Sequence, residues 1–413
     1  GDYPVWVNQP ARAQDVPGAI ARARHEAVTG RGPALVIVPM DDWDAPAEDL
    51  PPAAPSLLVR GRGVDDGDLA PLVALLDAAA SPALVVGAGA DSRAAWDALV
   101  ELAELLGCPV WQESFGARAG FPQDHRQFAG ILPADRTRLR GVLSGHDVVL
   151  AVGAPVFRQY PYEPGPLVEP GTTVAVITDD PAEAHRSPAD LALLADPARA
   201  CARLTRLVRR LAAGPPELMK VSGDLEEVSP LRAARVLSEL ARRLPPETIV
   251  VEETPSSRPD LHRLLPARRP LGFLSAAMGG LGFALPAAVG LRMALPDRPV
   301  VAVAGDGSAL YGIQALWSAA HYRAGALFVI LANGRYAVMD RLAERGGRGK
   351  PPWPPFDEVS LAGLAESLGC PARRVRDHDE LIAALDEIVP TLNAREEPLL
   401  LDVAVVPDTE FRP

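Results

Sequence analysis

Residues 300–308 read Val-Val-Ala-Val-Ala-Gly-Asp-Gly-Ser, an apolar run of five residues followed directly by Gly305-Asp306-Gly307. A short apolar run that ends in glycine is typical of a strand buried on both faces of a parallel sheet. Glycine lets a ligand approach the backbone closely, and a helix beginning after this run would favour phosphate at its N-terminus. Asp306 offers the hard oxygen ligand that Mg²⁺ prefers. The segment therefore predicts a strand tip that binds phosphate and a metal ion.

A second apolar run, residues 326–332, ends at Asn333, which lies 27 residues after Asp306. A helix is predicted between the two runs, at residues 310–322, so we expect the two strands to be parallel neighbours. Carboxylate and amide oxygens on adjacent strand tips can hold a metal-bound diphosphate between them. The pair Asp306 and Asn333 is the strongest candidate site in the sequence.

The rest of the chain alternates between helix-like and strand-like patterns, which predicts parallel-sheet α/β domains. Residues 1–45 contain only one helix, near 16–28, and one strand, near 34–38, too little for a domain of their own. We predict a central α/β domain at 57–212, a Pro-bearing polar linker at 213–228 and a last α/β domain at 229–413. The predicted strands lie at 83–87, 109–112, 147–153, 173–178, 248–252, 300–304, 326–332 and 399–405, and the predicted helices at 67–79, 92–106, 197–212, 231–243, 283–294, 310–322 and 379–393.

Composition narrows the function classes. The chain has 413 residues, enough for two or three domains, and 41 basic against 53 acidic residues give a net charge of −12. The basic residues are not clustered, so we expect no nucleic-acid partner. No apolar run approaches the ~20 residues of a membrane span, so no membrane partner is expected. Three separated cysteines favour neither a disulfide framework nor a zinc site, and they indicate a reducing, cytoplasmic location.

The Asp306 and Asn333 constellation resembles the diphosphate-and-Mg²⁺ motif of thiamine-diphosphate enzymes. Gly279-Gly280-Leu281 agrees with it independently. Longer stretches, namely 16–19, 145–158 and 315–317, are similar to the benzoylformate decarboxylase family. The resemblance implies the thiamine-diphosphate enzyme fold, with residues 1–45 as the C-terminal remnant of a pyrimidine-binding domain, then the central and the diphosphate-binding domain. It also implies a homo-oligomer, a dimer of dimers with each active site at a subunit interface.

The resemblance assigns roles to individual residues. Leu281 would hold thiamine diphosphate in its bent shape, and the Gly279 carbonyl would hold the amino group of its pyrimidine ring. The implied metal ligands are Asp306, Asn333 and the backbone carbonyl of Arg335. The implied cofactor-binding residues are Ser256, Gly279, Leu281, Gly305, Gly307, Ser308, Tyr336 and Ala337, and the implied substrate pocket consists of Val338, Met339 and Leu342.

The sequence also departs from the family pattern. Ala332 stands where the family has a first asparagine, and Ser229, a possible substrate contact, stands where the family has a histidine suited to proton transfer. No residue matches the glutamate that activates the pyrimidine ring in the family, so the catalytic residue is unknown. We expect residues 1–413 alone to be inactive, or a separate N-terminal fragment to stay associated with them.

The leading hypothesis is a carboxy-lyase that decarboxylates a small 2-oxo acid to an aldehyde with thiamine diphosphate and Mg²⁺. A carboligase of the acetolactate-synthase type and a catalytically silent cofactor-binding homologue are the alternatives.

Other motifs give weaker support for a function. Gly87-Ala88-Gly89 lacks the third glycine of a dinucleotide fingerprint, and Glu252-Glu253 is expected to give one exposed and one cofactor-side carboxylate. The histidines lack metal-ligand spacing and are expected to be structural.

Overall fold

A computed structural model describes residues 3–46, 63–160, 162–209, 230–345, 347, 353–356 and 358–407. The chain divides into two compact units, residues 1–62 and 63–413. Ser229 and the predicted linker 213–228 lie outside the described residues. The boundaries 1–45, 57–212, 213–228 and 229–413 therefore stay predictions. None of the helices in the described ranges combines the length and apolarity that a membrane crossing requires.

The first unit contains a two-stranded parallel sheet and one long helix. Its strands pair with Trp6 opposite Ala34. The helix has proline at its second position, where a missing N–H does no harm, and it ends at Arg31 in the left-handed region. The predicted helix and strand are both present. The elements are β1 (Trp6–Asn8), α1 (Val16–Gly30) and β2 (Ala34–Val36).

The first part of the second unit is a six-stranded parallel sheet with helices on both faces. The strands and helices predicted from the sequence in this part are present, but the helix predicted at 197–212 ends at Leu207, and residues 210–212 lie outside the described ranges. The short elements at 128–131, 136–143, 181–186 and 191–194 were not predicted. The sheet order is β5-β4-β3-β6-β7-β8. The elements are α2 (Asp66–Ala78), β3 (Pro82–Val86), α3 (Arg93–Leu106), β4 (Val110–Gln112), β5 (Phe128–Ile131), α4 (Arg136–Leu143), β6 (Val148–Val152), β7 (Thr173–Thr178), α5 (Pro181–Arg186), β8 (Leu191–Leu194) and α6 (Pro197–Leu207).

The second part is another six-stranded parallel sheet, in the order β10-β9-β11-β12-β14-β13. The predicted helix 310–322 begins only at Ala315, after a four-residue helix at the Gly-Asp-Gly turn. The elements are α7 (Ala233–Arg243), β9 (Ile249–Glu253), α8 (Arg258–Leu264), β10 (Phe273–Ser275), α9 (Ala284–Ala294), β11 (Val300–Gly305), α10 (Asp306–Ala309), α11 (Ala315–His321), β12 (Leu327–Ala332), α12 (Ala337–Arg345), α13 (Leu361–Ser367), β13 (Ala372–Val375), α14 (His378–Ile388) and β14 (Leu399–Ala404).

The order of this second sheet places the candidate site. Strand β11 lies between β9 and β12, with Val303 opposite Glu252 and Gly305 opposite Leu331. The chain turns to β10 on one side of β9 and to β11 on the other, so the point between β9 and β11 is a topological switch point. Ligands of open α/β sheets bind in the crevice beyond the carboxyl ends of strands at such points. Residues 254, 306 and 333 all follow strand ends at this edge.

The three cysteines are buried and unpaired. Cys108 and Cys370 each follow a glycine in the left-handed region, Gly107 with φ 61° and Gly369 with φ 81°. These glycines lie just beyond the ends of α3 and α13, where a left-handed residue with no Cβ closes a helix without steric cost. Burial raises the pKa of each cysteine to about 12. The thiols are therefore unreactive core residues.

Candidate functional site

A cavity of about 420 Å³ opens at the carboxyl ends of β9, β11 and β12. Four chain segments and one further aromatic residue form its wall. Most of the residues that the sequence singled out lie there, although Ala337 is buried away from the lining and Leu342 is exposed on α12. The lining residues are Thr254, Pro255, Ser256, Ser257, Gly279, Leu281, Gly305, Asp306, Gly307, Ser308, Tyr311, Leu331, Asn333, Arg335, Tyr336, Val338, Met339 and Trp353.

Asp306 joins the two strand tips. One carboxylate oxygen accepts the Gly307 N–H at 2.8 Å and the other accepts the Gly334 N–H at 2.6 Å. Burial raises the pKa of Asp306, and the backbone N–H groups around it act in the opposite direction. Each oxygen retains a lone pair, because a carboxylate can accept about four hydrogen bonds. Asp306 therefore holds β11 against the turn after β12 and can still bind a cation.

Asn333 shapes that turn. Its side-chain oxygen accepts the Arg335 N–H at 3.1 Å, an Asx turn that bends the chain directly after β12. Gly334 follows with φ 70°, a conformation that favours glycine. The amide oxygen of Asn333 keeps a second lone pair for a ligand.

The donor set in the cavity fits a diphosphate bound through a hard cation. Ser256 and Ser308 line the cavity, and neither hydroxyl has a hydrogen-bond partner among the described residues. Oxygen ligands with few protein carboxylates suit Mg²⁺, which usually binds through one or two carboxylates and phosphate oxygens of the ligand. Within the described ranges, no group of three or more His, Cys, Asp or Glu side chains could hold a metal alone. A metal ion here would depend on oxygens that a ligand supplies.

Gly307 is required for a reason that the sequence did not reveal. A Cβ atom at this position would lie 2.6 Å from Cε1 of Tyr336 and 3.3 Å from Cζ of Phe356. The two rings pack edge to face, with centroids 5.1 Å apart. The glycine thus makes room for an aromatic wall, in addition to any approach of a ligand.

The loop at Gly279 presents a large apolar side chain to the cavity. Met278, Gly279 and Gly282 have φ angles of 63°, 76° and 85°, so three of the five residues from 278 to 282 are in the left-handed region. Leu281 is 42% exposed and lines the cavity. A partly exposed leucine on a tightly turned loop is suited to contact a bound ligand.

Glu253 holds this loop in place, a role that was not predicted from the sequence. Its carboxylate accepts the N–H groups of Gly282, Phe283 and Ala284, each at 2.7 Å. These donors are at the N-terminus of α9, which has no side-chain cap of its own. The lack of a capping side chain in the sequence before α9 could have indicated such a contact, because the first N–H groups of a helix then need acceptors from elsewhere in the chain.

Glu252 organises the opposite wall. It accepts the Thr254 N–H at 2.6 Å, the Ser275 hydroxyl at 2.8 Å and Arg258 Nε at 3.1 Å. Burial alone would raise the pKa of Glu252. The positive charge of Arg258 and these hydrogen bonds outweigh that effect, so the pKa lies below its usual range. The expectation of one exposed carboxylate was wrong, since Glu252 and Glu253 are both buried. Strand β9 is inside the sheet, with helices over both faces.

The weaker motifs have structural explanations. The Gly89 N–H donates to the Gly153 carbonyl at 2.8 Å, and a Cβ on Gly89 would lie 2.8 Å from Gly153 Cα. The glycines near β3 therefore bring two loops of the central sheet together. The side chain of Asp91 is buried and accepts the Leu271 N–H at 3.1 Å, and this burial raises its pKa to about 6. His262 is half-buried, its removal from solvent lowers its pKa to about 4, and it packs edge-on against Phe273.

Two family models match the chain. The C-terminal TPP-binding domain of thiamine pyrophosphate enzymes matches residues 256–403, and the central domain of the same enzymes matches residues 69–204. Together these ranges cover more than half of the chain. They contain the cavity segments from Ser256 onward and most of the central sheet.

The relatives point to one branch of these enzymes. A benzoylformate decarboxylase of Pseudomonas aeruginosa is 37% identical over 403 residues, 96% of this chain and 75% of the relative. An acetolactate synthase large subunit of Parasynechococcus marenigrum is 29% identical over 425 residues, covering 92% of this chain and 65% of the relative. The chain thus spans about three quarters of its decarboxylase relative.

Solved structures agree. The thiamine diphosphate-dependent 4-hydroxybenzoylformate decarboxylase of Rhodococcus jostii RHA1 superimposes with a TM-score of 0.90 at 33% identity, covering 98% of this chain and 76% of that one. The benzoylformate decarboxylase of Polynucleobacter necessarius gives a TM-score of 0.90 at 28% identity, covering 99% and 77%. With the matched domains and the cavity, these similarities show that the chain belongs to the benzoylformate decarboxylase family of thiamine-diphosphate-dependent enzymes.

Proposed function

We propose that this protein decarboxylates a 2-oxo acid to an aldehyde, with thiamine diphosphate and Mg²⁺ bound in the cavity at the ends of β9, β11 and β12. The observation that carries the proposal is the buried carboxylate of Asp306, which lines one cavity with Ser256 and Ser308 at the switch point of the sheet. The decarboxylase relative is more similar than the acetolactate synthase, which favours decarboxylation over carboligation.

Each part of the cavity has a proposed role. Asp306, Asn333 and the backbone carbonyl of Arg335 hold Mg²⁺. Ser256 and Ser308 donate hydroxyl hydrogens to the diphosphate, and the backbone at Gly305 and Gly307 lies beside it. The remaining cofactor contacts proposed are Gly279, Leu281, Tyr336 and Ala337.

The chemistry divides between cofactor and chain. Thiamine diphosphate, when bound, supplies the electron sink for loss of CO₂. The chain supplies geometry and an apolar wall, formed on one side by Leu331, Val338 and Met339. An apolar wall solvates a substrate carboxylate poorly and favours its departure as neutral CO₂. We retain Val338, Met339 and Leu342 as the proposed substrate pocket, with Leu342 in an outer position.

Activation of the cofactor requires a residue that transfers a proton, and the residues assigned above do not include one for this step. Among the described cavity residues, Asp306 is the one carboxylate, and imidazole side chains are absent from that lining. We therefore propose that the activating carboxylate comes from outside the described lining, with a separate N-terminal fragment as one source. Ser229 stays a proposed substrate contact.

The proposed assembly is a homo-oligomer, a dimer of dimers. Its support is an exposed aromatic surface on and beside α11, where Trp317 is 52% and Tyr322 is 58% exposed. Trp317 stacks on His321 with centroids 4.9 Å apart. A second copy of the chain would cover this surface.

The unpaired cysteines support a reducing cytoplasmic location.

Product analysis tests the function. The protein, together with the N-terminal fragment proposed as a source of the activating carboxylate, is incubated with benzoylformate and with aliphatic 2-oxo acids in the presence of thiamine diphosphate and Mg²⁺. We expect equal amounts of CO₂ and aldehyde. A 2-hydroxy ketone as main product would favour the carboligase, and bound cofactor without any turnover would favour the silent homologue. Asp306→Ala is the control that should remove all products.

A further inference from the structure

A segment of the central sheet reaches across to the Gly279 loop (residues 278–281). This bridging segment (residues 113–118) leaves the carboxyl end of β4 and runs beside β10. The Ala117 carbonyl accepts the Ser275 N–H at 2.9 Å, and the Phe115 carbonyl accepts the Met278 N–H at 3.3 Å. The Gly279 loop is thus held from the central sheet, in addition to the Glu253 contacts at its other end.

The backbone at this contact is strained on both sides. Phe115 has φ 51° and Met278 has φ 63°, left-handed values that are unfavourable for residues with a Cβ. Such conformations persist only where the surroundings determine them. The Phe115 ring also lies close to Gly279, with Cε1 at 3.5 Å from the position of a Cβ there. The contact therefore sets where Gly279 lies on the cavity wall.

A partly buried ion pair, with the carboxylate buried and the guanidinium partly exposed, holds the other side of the Phe115 carbonyl. Arg158 Nη1 donates to that carbonyl at 2.9 Å, and Arg158 Nε is 3.5 Å from a carboxylate oxygen of Glu113. The Ser114 hydroxyl donates to the Arg158 carbonyl at 2.8 Å and closes the arrangement. The Phe115 carbonyl thus accepts one N–H from the central domain side and one from the Gly279 loop.

The position of Glu113 is costly for packing alone. It is 2% exposed, and burial raises its pKa to about 7, with Arg158 lowering it and Glu183 raising it. Two glycines make room for it. A Cβ on Gly87 would lie 2.5 Å from a Glu113 carboxylate oxygen, and one on Gly116 would lie 2.9 Å from Glu113 Cγ. A well-packed apolar residue would be less costly here than a carboxylate.

We propose that Glu113 and Arg158 are positioning residues: the pair holds the Phe115 carbonyl, the carbonyl holds the Met278 N–H, and the central sheet thereby fixes the cofactor-facing Gly279. The effect on cofactor binding rests on the proposed function, because Gly279 faces thiamine diphosphate only if the cavity binds it. The effect on the Met278 N–H is independent of any cofactor.

The test uses two readouts on Arg158→Met and Glu113→Gln. The first is hydrogen exchange at the Met278 amide in the cofactor-free protein, which should become at least tenfold faster in Arg158→Met. The second is calorimetric affinity with Mg²⁺ for thiamine diphosphate and for inorganic diphosphate. We expect an affinity loss of about tenfold for thiamine diphosphate and less than twofold for inorganic diphosphate, because Asp306 is in a different wall of the cavity.

Two further variants make the result decisive. Arg136→Met removes an arginine that binds Gln159 and the Gly165 carbonyl in the same sheet domain, and it should change neither readout. Arg158→Lys serves if Arg158→Met does not fold, because lysine keeps the charge but lacks the planar fork that spans both partners. Unchanged Met278 exchange in a folded Arg158 variant would overturn the proposal. Equal losses for both ligands would also overturn it, as a merely structural role predicts them. Failure of the wild type to bind thiamine diphosphate would instead refute the proposed cofactor.

Discussion

Glu253→Gln should loosen the Gly279–Gly282 turn and destabilise the fold. The wild-type carboxylate accepts three backbone N–H groups at 2.7 Å, two of them on the same oxygen. A hydrogen bond to a charged group contributes about 1.5–3 kcal/mol, and a buried N–H left unpaired costs about 1–3 kcal/mol. Glutamine keeps one oxygen, and its NH₂ group must face at least one of the three donors. We expect the free energy of unfolding to fall by about 2–4 kcal/mol.

The same substitution should weaken cofactor binding. The Gly282 N–H is adjacent to Leu281 in the chain, so releasing it lets the proposed cofactor support move. We expect an affinity loss of about tenfold, or about 1.4 kcal/mol, for thiamine diphosphate in the presence of Mg²⁺. Urea unfolding measures the stability, and calorimetry measures the affinity.

A matched control separates the two effects. Asp377 caps α14 by accepting the Glu380 N–H at 2.9 Å, and it lies outside the cavity lining. Asp377→Ala should cost about 1 kcal/mol of stability and leave cofactor affinity unchanged. If Glu253→Gln unfolded within about 0.5 kcal/mol of the wild type and bound the cofactor equally well, the reasoning about this carboxylate would be refuted.

Three further substitutions test other residues. The pKa of Asp91 is 3.8 in an unfolded chain and about 6 in the folded protein, so folding is penalised once the carboxyl ionises. As pH rises from about 4 to 6, the wild type should lose up to about 3 kcal/mol of unfolding free energy relative to Asp91→Asn. Urea unfolding of both proteins at pH 4 and 7.5 measures this, and a difference that does not change with pH would contradict it. Arg335→Ala should leave Mg²⁺-dependent cofactor affinity within about twofold, because the proposed ligand is its backbone carbonyl; a loss above tenfold by calorimetry would assign a role to the guanidinium. Gly307→Ala should displace the Tyr336 ring, which lies 2.6 Å from the new Cβ position, and weaken cofactor binding; an unchanged affinity would show that the wall adapts.

The sequence predicted the central strands well because their signal is local. The runs at 300–304 and 326–332 are apolar throughout, and only a strand covered on both faces suits them. Their ends at Asp306 and Asn333 follow from the same pattern. By contrast, β10 and β13 are edge strands of three and four residues. The polar sequence Ala372-Arg373-Arg374-Val375 has no clear period, and only its pairing with β14 makes it a strand.

The roles of the supporting residues, Glu253 and the Glu113–Arg158 pair, could not be predicted from local sequence patterns. The donors to Glu253 are 29 to 31 residues away in the chain. The donors to the Phe115 carbonyl, Arg158 and Met278, lie in loops that follow strands of two different sheets. No spacing rule connects such positions. The motif residues that face the cavity could therefore be named from sequence, whereas the residues that hold them in place required the folded structure.

The central claim is that Asp306 binds the cofactor through Mg²⁺, and a calorimetric titration tests it most directly. Thiamine diphosphate is titrated into the wild type and into Asp306→Ala, with Mg²⁺ and with a chelator. We predict binding to the wild type only when Mg²⁺ is present, and none to Asp306→Ala, whose cooperative unfolding should be retained because a strand-tip carboxylate contributes little to the core. Equal affinity in the folded Asp306→Ala variant, or wild-type binding that persists in the chelator, would contradict the account.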